Sequence, residues 1–325
     1  MSSPSAVSSL SPTMAEPRRA AAYGLALAGD EPLLSDLEAV GTPPRRRAVL
    51  RTATAKDLHA AWPADGSRRL STETPEPGAA PRTIDEHPRA GWLLDAPGWG
   101  CARVTPDGSL VECARDDAED WRWQRFLVGR VLPFAAVAAG LEVLHAAAVV
   151  LDGRALAVTG GSGSGKSSVA AALTLRGAEL LTDDVLAVEH GAGGLVAHPG
   201  PPLLALRAAE VTTLGDDRLE SVGAVAGEGG GKSYVTVGAA QAPVELARLA
   251  VLRRTGDPGG VVVEPLGRPP ARVLLSALFL PELAPPARLR RQLEVLEALG
   301  GTVEVVEVRA GSDSNAGHVA EALTT

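Results

Sequence analysis

Three groups of residues in the middle of the chain have types and spacings that could do chemistry. A glycine-rich segment, "GGSGSGKS", occupies residues 160–167 and satisfies the pattern GxxxxGK[ST]. Two adjacent acids, Asp183 and Asp184, follow it, with Asp184 18 residues after Lys166, and His145 lies 21 residues before that lysine. Amine, hydroxyl, carboxylate and imidazole groups at these intervals predict a site that handles phosphate.

The glycine-rich segment has the flanks that a phosphate loop needs. The apolar run "ALAVT" before it predicts a strand, and "KSSVAAALTLR" after it predicts a helix. Glycines let the backbone curl so that its N–H groups converge on phosphate oxygens, and the helix N-terminus adds a positive dipole. We therefore expect Lys166 to contact the β- and γ-phosphates of ATP and Ser167 to bind Mg²⁺. The predicted nucleotide-binding residues are Gly160, Gly161, Ser162, Gly163, Ser164, Gly165, Lys166, Ser167 and Ser168.

Triphosphate binding does not by itself define the reaction. ABC-type ATPases have similar loops, but they also need an LSGGQ-like signature and a strand that ends in Asp-Glu, and the sequence contains neither. A second glycine-rich stretch, "GEGGGKSYV" from Gly227, is one residue short of the pattern and runs into a β-type sequence. We expect a flexible loop there, with Lys232 in solvent, and a contact of Lys232 with a substrate stays open as the alternative.

The paired acids lie in "LLTDDVLAVE", residues 180–189, which reads as a strand. Adjacent side chains of a strand point to opposite faces, so only one carboxylate would face the phosphate closely. A carboxylate that is desolvated near another acid has a raised pKa, which suits a base. A structural alternative stays open, in which the pair sits in a turn and accepts backbone N–H bonds. His145 has a similar alternative as a core histidine on an apolar strand.

The segment from Leu144 to Glu189 resembles the catalytic domain of the HPr kinase/phosphorylase family and its kinase-like relatives. The shared pattern is an LH on a strand, a short turn, GxSGxGKS, a short helix ending in RG, and a strand ending in Asp-Asp. The resemblance fades beyond Gly200. It implies an α/β fold, with a P-loop kinase domain of the HPr-kinase/PEP-carboxykinase-like type and a smaller N-terminal α+β domain.

The resemblance also implies a role for each matching residue. Asp184 matches the family's general base, which takes the proton from an attacking serine hydroxyl, and His145 matches the histidine beside that base. Lys166 completes the implied catalytic set. Ser167 and Asp183 are the implied metal-binding residues, although Asp183 could also bind through water or hold the loop. The implied cofactors are ATP and Mg²⁺.

The sequence departs from the family after the acid pair. The family carries an EIRGxG signature whose glutamate helps to bind the metal, whereas this chain has "AHPGPPLL" at the comparable place, and residues 198–200 offer no carboxylate. Metal binding would then rest on Ser167, an aspartate and water, and the reverse phosphorolysis becomes doubtful. The whole chain is more similar to kinase-like relatives from modified-peptide pathways, some of which phosphorylate a serine of a lasso peptide precursor.

The distribution of residue types along the chain predicts a tail and two domains. All five tryptophans lie within the first 123 residues, which predicts two parts with different cores. We expect a disordered tail over 1–20, an N-terminal α+β domain over 21–128 and a catalytic domain over 129–325. Long Pro/Arg/Gly-rich loops are predicted within 41–90, including a solvated basic run at Arg45–Arg47.

Net charge and hydropathy limit the classes of partner that we expect for the chain. The net charge of −8 is spread along the chain, which argues against a nucleic-acid surface. No apolar run reaches the ~18 residues of a membrane span, and the N-terminus lacks the apolar stretch of a signal peptide. We therefore expect a cytoplasmic protein without membrane or nucleic-acid partners. A homo-oligomer stays open, because the resembled family forms oligomers.

Several elements are predicted from patterning alone. Turn residues at 106–108 and 152–153 predict two β-hairpins, and residues 116–140 predict a helix interrupted near Pro133 and closed by Gly140. Later strands are expected in "GLVAHPG", "SYVTVG", "ELARLAVLRR" and "TVEVVEVR", and helices in "PARVLLSALFL" and "PPARLRRQLEVLEALG".

The sequence as a whole predicts an ATP-dependent kinase that transfers the γ-phosphate to a serine of a peptide or small protein, such as a ribosomal precursor peptide. Two alternatives stay open. One is a small-molecule kinase that acts on free serine or a sugar, and the other is a nucleotide-binding regulatory module that has lost catalysis. The identity of the acceptor and the role of the N-terminal part are not encoded in any motif.

Overall fold

Over the residues that the structure describes, the chain folds as a mixed α/β protein with three β-sheets. A computed structural model describes residues 20–37, 44–74, 78–116, 120–220, 223–229, 231–267 and 270–325. The disordered tail predicted for 1–20 lies outside the described residues, except for Ala20, which begins the first strand.

The first sheet has eight strands and is built from the N-terminal part of the chain. Its strands are β1 (Ala20–Ala22), β2 (Leu25–Gly29), β3 (Arg46–Thr52), β4 (Arg68–Glu73), β5 (Arg82–His87), β6 (Gly91–Ala96), β7 (Gly100–Val104) and β8 (Leu110–Arg115). The strand order is β1-β2-β3-β8-β7-β6-β5-β4, and the pairs β2·β3 and β3·β8 are parallel. A 3₁₀ turn (Pro32–Leu37) follows β2 and a short helix α1 (Ala55–Ala60) follows β3.

This sheet tests two sequence-based expectations. The hairpin predicted at 106–108 is confirmed, because β7 and β8 pair antiparallel around that turn. The long loops predicted within 41–90 are largely wrong, because β3, α1, β4 and β5 fall in that stretch. Exposed residues alternate with buried ones along β3, in which Ala48 and Leu50 are buried and Val49 between them is exposed. The neighbouring prolines and arginines hide this period-2 signal in the sequence.

One long helical segment connects the first sheet to the rest of the chain. It comprises α2 (Asp120–Phe126), a π-helical turn (Leu127–Val131) and α3 (Leu132–Ala138). The predicted interruption lies one turn before Pro133, because proline lacks an N–H and its ring crowds the carbonyl of residue 129. The Leu132 N–H accordingly bonds to the Leu127 carbonyl. The proposed boundary between residues 128 and 129 falls inside this continuous segment, and the domain division stays a prediction.

The second sheet has nine strands and carries the predicted phosphate loop. They are β9 (Glu142–Leu144), β10 (Ala146–Leu151), β11 (Arg154–Gly160), β12 (Glu179–Thr182), β13 (Leu186–Gly191), β14 (Gly194–His198), β18 (Val244–Arg254), β19 (Val261–Pro265) and β20 (Glu304–Ala310). The main path is β12-β10-β11-β18-β14-β13-β9, with β20 paired to β18 and β19. The pairs β11·β18 and β18·β20 are parallel. The hairpin predicted at 152–153 is confirmed, as β10 pairs with β11.

The third sheet has three strands in the order β15-β17-β16, formed by β15 (Leu203–Arg207), β16 (Gly223–Gly229) and β17 (Lys232–Val237). The remaining helices are α4 (Lys166–Thr174), α5 (Ala208–Leu214), α6 (Asp216–Glu220), α7 (Ala271–Ser276), α8 (Pro286–Gly301) and α9 (Ala316–Thr324). The flexible loop predicted from Gly227 is wrong, because β16 and β17 form an antiparallel hairpin across it.

Both faces of the second sheet are buried. Along β10, Ala147 and Val149 pack with α4 and α9, whereas Ala146 and Ala148 pack on the opposite face with α8. The first sheet shares a core with the helical segment, and Val185 and Leu280 from the C-terminal part also belong to that core. The two parts are thus packed together beside the acid pair. Among the described residues, no helix has both the length and the apolar character needed to cross a membrane.

Candidate active site

The glycine-rich loop lies between the end of β11 and the start of α4, which is the strand–loop–helix setting expected from the sequence. Gly163 and Gly165 have φ angles of 75° and 97°. Residues with side chains rarely adopt this left-handed conformation, so both positions favour glycine. The first N–H groups of a helix have no acceptor within the helix, so those at the start of α4 are available to an anion beside the loop.

Lys166 is the first residue of α4 and is buried, with 8% of its surface exposed. Its Nζ donates hydrogen bonds to the carbonyl oxygens of Gly160 and Gly161, at 3.1 and 3.3 Å. Burial lowers the pKa of Lys166, and the Asp184 and Asp183 carboxylates partly offset this effect. The ammonium group therefore lies inside the loop and faces the acid pair.

Arg254 holds the loop from the neighbouring strand, and sequence reasoning missed it. Its Nε donates to the Ser164 carbonyl at 3.0 Å, and its guanidinium also bonds to Ser314 at 2.7 Å. The parallel register places Gly160, the last residue of β11, opposite Leu252, so Arg254 at the end of β18 lies two residues further along, next to the loop. The sequence predicted the strand that ends in "LRR", which is β18, but it did not indicate that β18 pairs with β11.

The acid pair is not in a strand, which corrects the expectation for 180–189. β12 ends at Thr182 and β13 begins at Leu186, so Asp183 and Asp184 form a sharp turn between two strands. Asp184 has a φ of 70°, a conformation that Asp tolerates better than most residues. The two carboxylates are therefore separated by the turn rather than by the alternation of a strand.

Asp183 faces the loop and accepts three hydrogen bonds. Oδ1 accepts from Ser167 Oγ at 2.8 Å and from the Asp184 N–H at 2.9 Å, and Oδ2 accepts from the Ala205 N–H at 2.9 Å. Burial raises the pKa of Asp183 to about 6, although the bonds from Ala205 and Ser167 oppose the rise. The backbone-bonded turn that was left open as an alternative is present here. The desolvated acid of the pair is Asp183, whereas the sequence analysis favoured Asp184 as the base.

Asp184 is the accessible member of the pair, with 60% of its side chain exposed. Its Oδ1 lies 3.4 Å from Nδ1 of His145, and the same ring nitrogen contacts the Asp184 carbonyl oxygen at 3.1 Å. Because a carbonyl only accepts, Nδ1 carries the proton. Burial lowers the pKa of His145, and Asp184 partly offsets the shift.

Phe279 fixes the histidine ring from the other side. The two rings stack with centroids 5.9 Å apart, and the His145 N–H bonds to the Ala277 carbonyl at 2.6 Å. The chain at His145 leaves β9 and enters β10, so the imidazole sits at a break between strands and not in the core alternative left open above. No motif in the sequence identified Phe279 as part of this site.

Close backbone packing supports the turn. A Cβ atom on Gly200 would lie 2.1 Å from Thr182 Oγ1, and Thr182 Oγ1 itself bonds to the Val185 carbonyl at 2.7 Å. Tyr23 from the first sheet reaches the same place, and its N–H bonds to Pro199 at 2.7 Å. Its hydroxyl is buried beside both acids, and burial raises the pKa of Tyr23. Residues 198–200, which have no glutamate of the kind that the family carries there, thus pack against the acid turn.

His198 also has a structural partner. Its Nε2 lies 2.9 Å from Glu189, whose other oxygen accepts from Arg46 at 2.8 Å. Arg46 lies on β3 and forms an ion pair, which corrects the solvated-loop expectation for that residue, whereas Arg45 and Arg47 are exposed as expected. Burial lowers the pKa of His198. These three side chains join the first and second sheets, and the Glu189 carboxylate is already paired with Arg46 and His198.

Two cavities meet at Asp184. The first, here called the arginine cleft, has a volume of about 360 Å³ and is lined by Arg82, Arg125 and Arg130 among others. The second, the tyrosine cavity, has a volume of about 390 Å³; it is lined by both acids, Tyr23, Tyr234 and Lys232. Lys232 is thus part of the site wall, in contrast to the solvated position expected from the sequence. Asp184, Arg125 and Gly129 line both cavities.

The donor set beside the loop fits Mg²⁺. Ser167 and Asp183 supply a hydroxyl and a carboxylate within 2.8 Å of each other, and hard oxygen donors are what Mg²⁺ prefers. The buried Ser164 Oγ has no hydrogen-bond partner in the described structure, which leaves another oxygen in the loop. These residues could hold Mg²⁺ together with the phosphates.

A second group of metal-capable side chains lies away from the loop. Among the described residues, His59, Asp95 and Cys101 bring their ligand atoms within 4.8 Å of one another. Burial raises the pKa of the Cys101 thiol to about 12. Asp95 of this group is already paired with His59 at 3.3 Å.

No protein-family model matches the chain. No curated protein matches it either. Among solved structures, the Hpr(Ser) kinase/phosphatase from Coxiella burnetii is similar over 56% of this chain and 93% of that chain, with 16% sequence identity and a TM-score of 0.29. The sequence identity and the TM-score are both too low to carry an argument about function.

Proposed function

We propose that this chain is an ATP-dependent kinase that transfers the γ-phosphate to a serine hydroxyl of a peptide or small protein. The observation that carries the proposal is the convergence of five side chains at the end of β11. Lys166 lies in the loop, Ser167 bonds to Asp183, and His145 contacts Asp184. This combination of phosphate-binding, metal-binding and basic groups suits phosphoryl transfer.

Each residue has a separate task in the proposed reaction. Lys166 and the first N–H groups of α4 bind the phosphates. Ser167 and Asp183 would hold Mg²⁺, which neutralises phosphate charge when bound. As the serine oxygen bonds to the γ-phosphorus, the bond from that phosphorus to the bridging oxygen of ADP breaks. The hydroxyl proton passes to the carboxylate of Asp184.

The geometry around Asp184 supports its assignment as the base. A base must reach the acceptor hydroxyl, and Asp184 is the exposed acid that lines both cavities. Burial raises the pKa of Asp183, but its oxygens already accept hydrogen bonds from Ser167, Asp184 and Ala205. The Nδ1–H of His145 is placed to hold the Asp184 turn and to stabilise its charge.

A decisive test compares Asp184→Asn with the wild type. We expect serine-containing peptides incubated with ATP and Mg²⁺ to gain the mass of one phosphoryl group with the wild type and not with Asp184→Asn, while both bind ATP equally by calorimetry. Asp152→Asn, in the exposed β10–β11 turn, is the matched control and should retain transfer. Undiminished transfer by Asp184→Asn would refute the assigned base.

A second candidate is a nucleotide-binding regulatory module without transfer. The observation in its favour is that His198 is committed to Glu189, and no carboxylate takes the place of the family's metal-binding glutamate there. Tight ATP binding without turnover or transfer, with Mg²⁺ and with Mn²⁺, would select this candidate.

A further inference from the structure

The arginine cleft lies between the first sheet and the acid turn. Its lining comes from β4, β5, β6, α2 and the π-helical turn, together with Asp184 and Phe279. Its volume, about 360 Å³, is within the range of sites for small molecules and short peptide segments. Asp184 lines this cavity, and no residue of the glycine-rich loop does.

The cleft contains cationic groups that lack a close acid. Arg130 is paired with Glu282 at 2.5 Å. Arg82 and Arg125 form no ion pair within 4 Å in the described part of the chain, and both stack on Trp99, with their guanidinium carbons 4.3 and 5.9 Å from the ring centroid. Two guanidinium groups from different elements thus lie near the same indole ring.

The pKa of Arg82 also reflects an excess of positive charge around it. Partial burial lowers the pKa of Arg82, and the charges of Arg125 and Arg130 lower it further, against the opposing effect of Glu73. Glu73 lies opposite Arg82 in the β4·β5 register. It still makes no ion pair with Arg82, and Asp95 in the same cleft pairs with His59 at 3.3 Å. A ligand carboxylate would relieve the repulsion and supply charge-assisted bonds.

We propose that the arginine cleft binds the phosphate acceptor, and that Arg82 and Arg125 bind a carboxylate of the acceptor close to the hydroxyl that reacts. This proposal rests on the proposed kinase function for the reaction, although the binding site can be tested without it. An acidic side chain beside a peptide serine and the carboxylate of free serine share this chemistry. The structure assigns the N-terminal sheet a role in choosing the acceptor.

The binding test uses two capped peptides, Gly-Ala-Ser-Asp-Glu-Ala-Gly and its amide counterpart Gly-Ala-Ser-Asn-Gln-Ala-Gly, without nucleotide. We expect the wild type to bind the acidic peptide about 10-fold more tightly than the neutral peptide, because each lost charge-assisted bond costs affinity of this order. Arg82→Gln and Arg125→Gln should reduce the preference to near unity. Arg68→Gln is the matched control, because Arg68 lies on β4 outside the cleft with 72% of its side chain exposed.

The outcomes separate the two proposals. Equal binding of both peptides by the wild type, or a charge preference that survives in Arg82→Gln with an unchanged melting temperature, would overturn the acceptor site. A preference that disappears in both arginine variants, without any ATP-dependent mass gain, would support the site and remove the kinase function. A mass gain on free L-serine that exceeds the gain on the acidic peptide, with a raised KM in Arg82→Gln, would support the site with a free amino acid as the carboxylate source.

Discussion

Ser167 Oγ donates a hydrogen bond to Oδ1 of Asp183 over 2.8 Å, and this bond joins the first turn of α4 to the acid turn. The two residues are 16 positions apart, and the helix and β12 lie between them. Burial raises the pKa of Asp183 to about 6, so the contact joins a hydroxyl to a desolvated carboxylate. A bound cation would relieve that desolvation, and this makes the pair the best-supported metal site beside the loop.

The first prediction concerns this pair. Ser167→Ala should weaken Mg²⁺-dependent ATP binding about 10-fold, because one oxygen donor and one hydrogen bond to a buried carboxylate are lost. ATP binding in EDTA should change much less. Calorimetry with and without Mg²⁺ measures both values. Ser167→Thr keeps the hydroxyl and should bind like the wild type, and a loss of the same size in EDTA would contradict a metal role.

His145 provides a second prediction. His145→Ala should lower kcat by up to about 100-fold while the affinity for ATP stays unchanged, since the Asp184 turn loses the bond that orients it. His145→Asn places an amide N–H near the position of Nδ1 and should recover part of the rate. If both variants lose the same activity, the imidazole acts in some way other than through its Nδ1–H. Steady-state kinetics on the peptide substrate decides between these results.

The buried ion pair behind Phe279 leads to a third prediction. Arg288 and Glu142 are 0% and 1% exposed and lie 2.5 Å apart, and the guanidinium also bonds to the carbonyls of Phe279, Leu280 and Leu283. Arg288→Met should lower the free energy of unfolding by about 3–5 kcal/mol, because Glu142 would remain as an unpaired buried charge.

Urea denaturation measures the loss in Arg288→Met. Arg253→Met breaks an exposed pair with Glu307, in which 66% of the arginine side chain is in solvent, and should cost no more than about 1 kcal/mol. Equal losses in the two variants would show that the burial of the Arg288 pair carries no special cost. A shift of the Phe279 segment in Arg288→Met should also disturb the ring stacked on His145.

The fourth prediction is a pH dependence of stability due to His198. Burial lowers its folded-state pKa below the ordinary value of 6.5. Between the folded-state pKa and 6.5, the unfolded chain therefore binds more protons at His198 than the folded chain does. The stability that comes from neutral His198 is present above pH 6.5 and is lost as the pH falls through this range. His198→Gln keeps a donor near Glu189 but cannot titrate, so its unfolding free energy should fall less between pH 7 and pH 5.

His145 and Asp183 titrate in both proteins, so the difference between the wild type and His198→Gln isolates His198. The pKa of His145 is also lowered and acts in the same direction. The raised pKa of Asp183 acts oppositely, because the folded chain keeps that proton to a higher pH. Parallel pH profiles for the two proteins would show that folding does not change the pKa of His198.

The sequence by itself determined the local elements of the site. The pattern of residues 160–167 identified the strand, loop and helix, because glycine spacing and apolar runs act over a few residues. Both hairpins and most C-terminal strands followed from the same short-range signals. The interval from Lys166 identified the acid pair, but the strand conformation predicted for it was wrong. A turn and a strand of this composition have the same apolar flanks, so the local sequence does not distinguish them.

The tertiary structure decided which carboxylate is buried and what surrounds the other. Asp183 is desolvated because β15 supplies the Ala205 N–H and α4 supplies Ser167, and neither contact has a signal in the sequence near residue 183. The arginine cleft depends on β5 and the π-helical turn meeting the acid turn. Such contacts join residues distant in sequence, and their energy comes from packing and burial that no local pattern encodes.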